Sequence, residues 1–337
     1  MKKSIFLIQL CALLALSSCQ VGTSNKLSLI PVKGDKDFQY IDPTGKIMIN
    51  PQFSSATVFR EGLALVCNTD EKPKWGYIDE NGLYIIKPLY LSATVFSEGF
   101  AWVVQENSPP SLINEKGEII FTLSNARQVY NFHEGLAAFS EINKDGKEQW
   151  GFLNDKGDIV INAQFSDVNL FREGLCAVAN SDDKWGYINI DGKLDINYQF
   201  SNAYNFHDGL AVVSLEEKFG VIDKKGSYVI NPQFTSMRAD FNKTFIVKQG
   251  NKYGWTDKEG KFLINPQFDD VMPFNSEKYA AVKSGDNYGF IDSQGKFVIN
   301  PQFDIAWPFN GNISLVVTSN KYGLINLEGK SLALRLS

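Results

Sequence analysis

The chain has 337 residues, 44% of them hydrophobic and 21% charged, with a formal net charge of −5. That is enough apolar material for a sizeable core, and the mild acidity argues against a nucleic-acid-binding surface. Beyond the amino-terminal region, no stretch approaches the roughly 20 consecutive apolar residues that a bilayer-spanning helix needs.

Lys2 and Lys3 precede an apolar run, Ile5–Leu16, which has the length of a secretory signal rather than of a membrane span. Leu16-Ser17-Ser18-Cys19 follows directly and resembles the lipobox of bacterial lipoproteins. The resemblance implies that residues 1–18 are a signal peptide and that Cys19 is the lipidated residue. Residues 19–26 are then anchor and polar tether, and the protein is held by lipid at the bacterial cell envelope. The outer membrane is the favoured membrane, with the protein facing the periplasm or the surface. One acyl chain anchors weakly, whereas two or three anchor stably. Loss of Lys2 and Lys3 takes the net charge from −5 to −7. Cys11 leaves with the signal. Cys67 and Cys176 fall at different places in the pattern described next, so they read as two buried thiols; a disulfide between them is open but not indicated.

Residues 27–337 are organised by one recurring text. At Lys74–Gly82, Trp75, Tyr77 and Asp79 alternate with Gly76 and Ile78, the period-2 pattern of a strand. Asp79 to Gly82 is a turn, since Asp bonds its own backbone two residues on and Gly supplies a positive φ. Leu83–Lys87 completes a hairpin. The same text recurs around Ser111, Gly151, Gly186, Gly220, Gly254, Gly289 and Gly323, with spacings from Gly76 onward of 35, 40, 35, 34, 34, 35 and 34. A degenerate first copy surrounds Gln39, which makes nine hairpin starts. Two more motifs follow in fixed order. Ile-Asn-Pro-Gln-Phe is complete at 49–53, 230–234, 264–268 and 299–303. Phe-x-Glu-Gly-Leu-Ala-x-Val occurs as Phe59–Val66 and Phe171–Val178, its Gly marking a bend before a short buried strand. A period of this size means a propeller, a solenoid or an array, because one unit is too small to bury a core alone.

These parts resemble the WG repeat, a bacterial β-repeat named for its Trp-Gly pair. The pair is intact at Trp75-Gly76, Trp150-Gly151 and Trp185-Gly186, and Phe219, Tyr253, Tyr288 and Tyr322 replace the Trp elsewhere. The resemblance implies a binding or scaffold module. Counting units from bend to bend leaves eight full units and part of a ninth. The expected fold is therefore all-β, a propeller of about eight blades, with an open superhelical array as the alternative. The repeated aromatic is expected to be packing, so function is sought where units differ.

Unit three has lost its signature: Pro109-Pro110-Ser111-Leu112-Ile113-Asn114 stands in place of Lys-Trp-Gly-Tyr-Ile-Asp. The long spacing of 40 follows it, and Asn143–Gln149 reads as an inserted polar loop. Asn143, Lys144, Asp145, Lys147 and Glu148 are therefore candidate binding residues, since insertions in repeat arrays map to one face. Trp307, next to Pro308, is a candidate exposed aromatic, whereas Trp102 replaces Leu65 of a buried strand and should be buried. Units six to eight replace Glu-Gly by Asn at Asn242, Asn275 and Asn310, dividing the array into 27–209 and 210–337.

Catalytic constellations are lacking. His133 and His207 are the only histidines and share one variable polar slot, which is too little for a metal site. The Asp-x-x-Gly turns lack the spacing of calcium loops, and Gly329-Lys330-Ser331 lacks the upstream Gly of a phosphate loop. The reading is a non-enzyme without cofactor or metal. Its partner is an envelope protein or, alternatively, a glycan or peptidoglycan. The membrane is reached through the lipid.

Overall fold

The computed structural model describes residues 29–332 apart from 35, 43–45, 241–242, 275–278, 310 and 320. The signal, Cys19 and the tether lie outside the described residues. The described chain is all-β and folds into nine separate antiparallel sheets in a row, eight of four strands and one, the first, of three. Each sheet is one blade of a propeller, built from a contiguous stretch of sequence. Blade two shows the plan: strand a at Ser55–Ala56, b at Ala64–Cys67, c at Trp75–Ile78 and d at Tyr84–Tyr90. The a–b bends and c–d turns lie at one end of the ring, and the b–c loops at the other.

The ring is closed. Ile41 of blade one is buried together with Ile313 and Leu324 of blade nine, and Ile30, Val32, Leu315 and Leu332 pack around them. Among the described residues this joint is made by side chains, and the strands of the two end sheets do not exchange. The expectation of about eight blades is corrected to nine, and the open array is set aside. The miscount has a simple origin. Each hairpin founds its own sheet, so the incomplete units at the two ends are two blades rather than two halves of one.

The motifs are explained by one local device. In blade five, Trp185 pairs with Phe200 and Tyr187 with Ile196, so Asn197-Tyr198-Gln199 bulges opposite Gly186 alone. The bulge passes directly over the glycine. A Cβ at Gly186 would stand 2.6 Å from the Ile196 carbonyl oxygen, and at Gly220 it would stand 2.4 Å from that of Ile230. The glycines make room for the close pass of the bulge, although blade one carries the same bulge over Gln39, and Pro suits the bulge because it has no N–H to leave unpaired.

Blades are joined by the residue after the glycine. Tyr77, Tyr187, Trp255 and Phe290 are almost fully buried. Each packs its ring on a Phe of the next blade, with centroids 4.8 Å apart for Tyr77–Phe96 and 4.9 Å for Tyr187–Phe206. The hydroxyl of Tyr77 donates to the Thr94 carbonyl at 2.7 Å, and that of Tyr187 to the Tyr204 carbonyl at 2.8 Å. Trp75 and Trp185 are only half-buried. The large buried payload thus sits one position past the Trp-Gly pair. Cys67 and Cys176 are free buried thiols, and burial holds the Cys176 thiol far above its ordinary value.

Candidate functional site

The site grows out of what blade three lacks. Its c strand, Ser111–Asn114, has Pro110 where other blades carry Trp and Ser111 where they carry Gly. The overlying bulge is absent here: Ser111 pairs directly with Thr122 and Leu112 with Phe121. The two hydroxyls face each other at 2.8 Å. Strand d is correspondingly short, Ile119–Thr122, and the chain then crosses to blade four through Leu123–Arg127. The buried Phe that normally precedes the crossing is replaced by Ala126.

One depression lies at this thin blade and another on blade four, just past the crossing. The first, of about 200 Å³, lies toward blade two and is lined chiefly by Tyr90, Val103, Pro109, Ser111, Ile119 and Thr122. The other, of about 580 Å³, lies among Arg127, Glu141, Asn143, Lys144, Gln149 and Ala163. Trp102 steadies blade three. It is buried, donates its indole N–H to the Tyr130 carbonyl at 2.9 Å, and stacks on Phe132 at 6.4 Å. Its ring takes over the packing that Leu112 is too small to supply.

The expected loop is corrected in part. Blade four has an extended hairpin, with Ala137–Ile142 paired to Glu148–Leu153, so Glu148 and Gln149 are strand residues. Glu148 accepts the fully buried Ser140 hydroxyl at 2.6 Å and the Gln128 side-chain amide at 2.9 Å, and so belongs to the framework. Only Asn143–Lys147 is a turn. Asn143 shapes it by accepting the N–H groups of Asp145 and Lys147, both at 2.9 Å. Lys144, Asp145 and Lys147 are exposed at its tip. Asn143 and Lys144 line the larger depression, and Trp307 does not join them. It sits half-buried in blade nine, its N–H bonded to the Leu315 carbonyl at 3.0 Å and its own carbonyl bonded by the Ser314 hydroxyl at 2.6 Å.

The same end of the ring carries the other long b–c loops, Asn68–Lys74, 105–110 and 180–184, all in blades two to five, whereas blades six to nine close with two-residue turns. The division of the array into halves read from the Glu-Gly bends is thus matched by loop length. At the opposite end the bends form a feature missed from sequence. The Glu61 carboxylate accepts the N–H groups of Glu98 and Gly99 in the next blade at 2.7 and 2.9 Å. Glu98 repeats this with Glu134 and Gly135, Glu134 with Glu173 and Gly174, and Glu173 with Gly209. The recurrence of the Glu was the available signal. His133 and His207 lie beside these bends. Burial first, then the charge of Arg172, holds the His133 imidazole below its ordinary value. Among the described residues no three metal-ligating side chains cluster.

A closed ring of sequence-contiguous four-stranded sheets, with variation concentrated at one blade and one set of loops, defines a repeat β-propeller. The chain belongs to the WG containing repeat family, which it matches over residues 40–72, 75–107, 150–185, 185–219, 219–253, 253–288 and 288–322. The interval 108–149 that the match skips runs from blade three's altered signature into the extended hairpin of blade four. A solved structure of a eukaryotic initiation factor is similar to the chain, with a TM-score of 0.63 at 11% identity over 91% of this chain and 95% of that one, a likeness of fold alone. The computationally designed Ika8 protein is similar more loosely, with a TM-score of 0.47 at 9% identity over 89% of this chain and 100% of that one. BamB from Moraxella catarrhalis has a TM-score of 0.40 at 11% identity over 92% of this chain and 91% of that one. No curated protein matches the chain significantly.

Proposed function

We propose that this chain is a non-catalytic binding module of the bacterial cell envelope, tethered by a lipid on Cys19, which captures a protein partner beside blade three. The observation that carries the reading is a coincidence of place. The smaller depression lies at blade three, where Pro110-Ser111 replaces the signature, and the larger lies on blade four at the crossing from blade three, bordered by that blade's exposed, charged tip. Repeats that serve only packing have no reason to diverge at one position and leave space there. Support for the anchor is the sequence Leu16-Ser17-Ser18-Cys19 directly after an apolar run.

Two measurements test the two halves of the reading. Cys19→Ser should abolish labelling by a fatty-acid analogue and move the protein out of the membrane fraction; equal labelling of both forms overturns the anchor. Capture of envelope proteins by the full chain should fall with Arg127→Glu and Lys144→Glu. Capture that survives both changes, or retention by purified peptidoglycan in place of any protein, overturns the partner assignment.

A further inference from the structure

We propose that the smaller depression, between blades two and three, docks an extended, proline-bearing segment of a partner protein. The inference rests on the reading of the chain as a protein-binding module and names the chemistry of what is bound. The fold itself supplies the template. In blades six, seven and eight, the space over the c-strand glycine is filled by Asn-Pro-Gln, at 231–233, 265–267 and 300–302, and in blade one the same text, 50–52, crosses Gln39. Blade three has no bulge, and the depression opens at Ser111, the residue that such a bulge would cover.

The walls suit that occupant. Tyr90, Val103, Pro109 and Ile119 are apolar, and the paired hydroxyls of Ser111 and Thr122 lie among them. A proline brings apolar surface and no N–H, so it enters such a space without an unpaired donor, and its backbone is already extended before binding. The surroundings diverge in the same sense. On either side of Tyr90, Leu89 is 55% exposed and Leu91 is 48% exposed. Blade five has Gln199 and Ser201 at these positions, and blade four has Gln164 and Ser166. Blade two has therefore exchanged solvated polar side chains for exposed leucines on either side of Tyr90, a lining residue of the depression.

The probe is a fluorescein-labelled peptide, Tyr-Val-Ile-Asn-Pro-Gln-Phe, copying residues 228–234, titrated with the full chain in mild detergent and read by fluorescence anisotropy. Saturable binding is expected. Thr122→Trp places a large ring in the depression from an exposed strand position and should weaken binding at least about tenfold, whereas Thr122→Val, which likewise removes the partner of the Ser111 hydroxyl, should lower the melting temperature to a similar extent yet keep the peptide. A peptide with Asp in place of Pro should show a comparable loss, and Leu91→Ser a smaller one. The proposal is overturned by the absence of saturation up to about 1 mM peptide, or by equal binding to the wild type and Thr122→Trp. It is also overturned if sedimentation shows a dimer that Thr122→Trp dissociates, since the occupant is then a second copy. A chain that ignores the peptide yet still captures its envelope partner through Arg127 and Lys144 sinks this proposal and leaves the functional reading standing.

Discussion

The carboxylate of Glu61 in blade two holds the backbone N–H of Glu98 in blade three at 2.7 Å, and Glu98 in turn holds that of Glu134 in blade four at 2.6 Å. Each Glu both gives its carboxylate forward and offers its own N–H backward, at a bend where its φ is positive, 52° at Glu61 and 56° at Glu98. The bend points two adjacent N–H groups in one direction, which makes a small anion seat. Glu98→Ala should therefore loosen the junction with blade four, while the N–H of residue 98 still serves Glu61. A loss of about 1–2 kcal/mol is expected, discounted for exposure, and a larger one than for Glu115→Ala on a nearby turn. Chemical denaturation of the two variants checks the difference.

The last carboxylate of this series adds a pH dependence. Partial burial raises the pKa of Glu173, but the Lys224 ammonium and the N–H groups of Gly209 and Asp208 outweigh it, and the group sits below its ordinary value of 4.5. A depressed carboxylate contributes stability that is present above the unfolded pKa and is lost as pH falls through the folded one. Melting temperature should therefore drop below about pH 4.5, and Lys224→Met should flatten that part of the curve. A Lys224→Met profile that runs parallel to the wild type contradicts the linkage.

The glycine of the Trp-Gly pair should be costly to replace where a bulge crosses it closely. A Cβ at Gly220 meets the Ile230 carbonyl oxygen at 2.4 Å. Gly220→Ala should therefore cost about 1–3 kcal/mol or more from overpacking. A thermal melt of the variant beside the wild type measures the loss.

The aromatic pair around Gly186 divides by burial. Tyr187 is fully buried in the junction with blade six, and Trp185 packs half-exposed against the same cluster. Tyr187→Ala should cost about 3–5 kcal/mol, and Trp185→Ala about half of that. Equal losses would place the Trp in the core after all.

In blade four, Lys144→Ala and Asp145→Ala change exposed side chains and should stay within about 0.5 kcal/mol. Glu148→Ala strands the buried Ser140 hydroxyl and should cost about 1–3 kcal/mol. Denaturant midpoints for the three variants separate turn from strand.

What sequence shows and hides follows from range. Hairpins, Asx turns and the buried Trp102 are governed by neighbours in the chain or by substitution at a repeated position, and all were legible. The tip at Asn143–Lys147 was legible as polar; its extension into paired strands at Glu148 was not, because the partner of Glu148 is Ile142 across the turn and its side chain is held by Gln128. The Glu61–Glu98 link joins residues a whole unit apart, and the repeat conceals it, since every Glu looks alike and none shows where its carboxylate goes. The two depressions were the least legible, since each depends on which residues meet across strands, such as Ser111 opposite Thr122 where other blades bulge.

The joint between blades one and nine has a mechanical consequence. Most propeller contacts here follow the chain, but Ile41 against Ile313 and Leu324 spans almost its whole length, so it carries the greatest loop-closure entropy, and among the described residues no strand pairing offsets it. Traction on the amino end, where a membrane tether would pull, loads this seam before any other, and blade one becomes the first element to peel away while eight blades stay zipped.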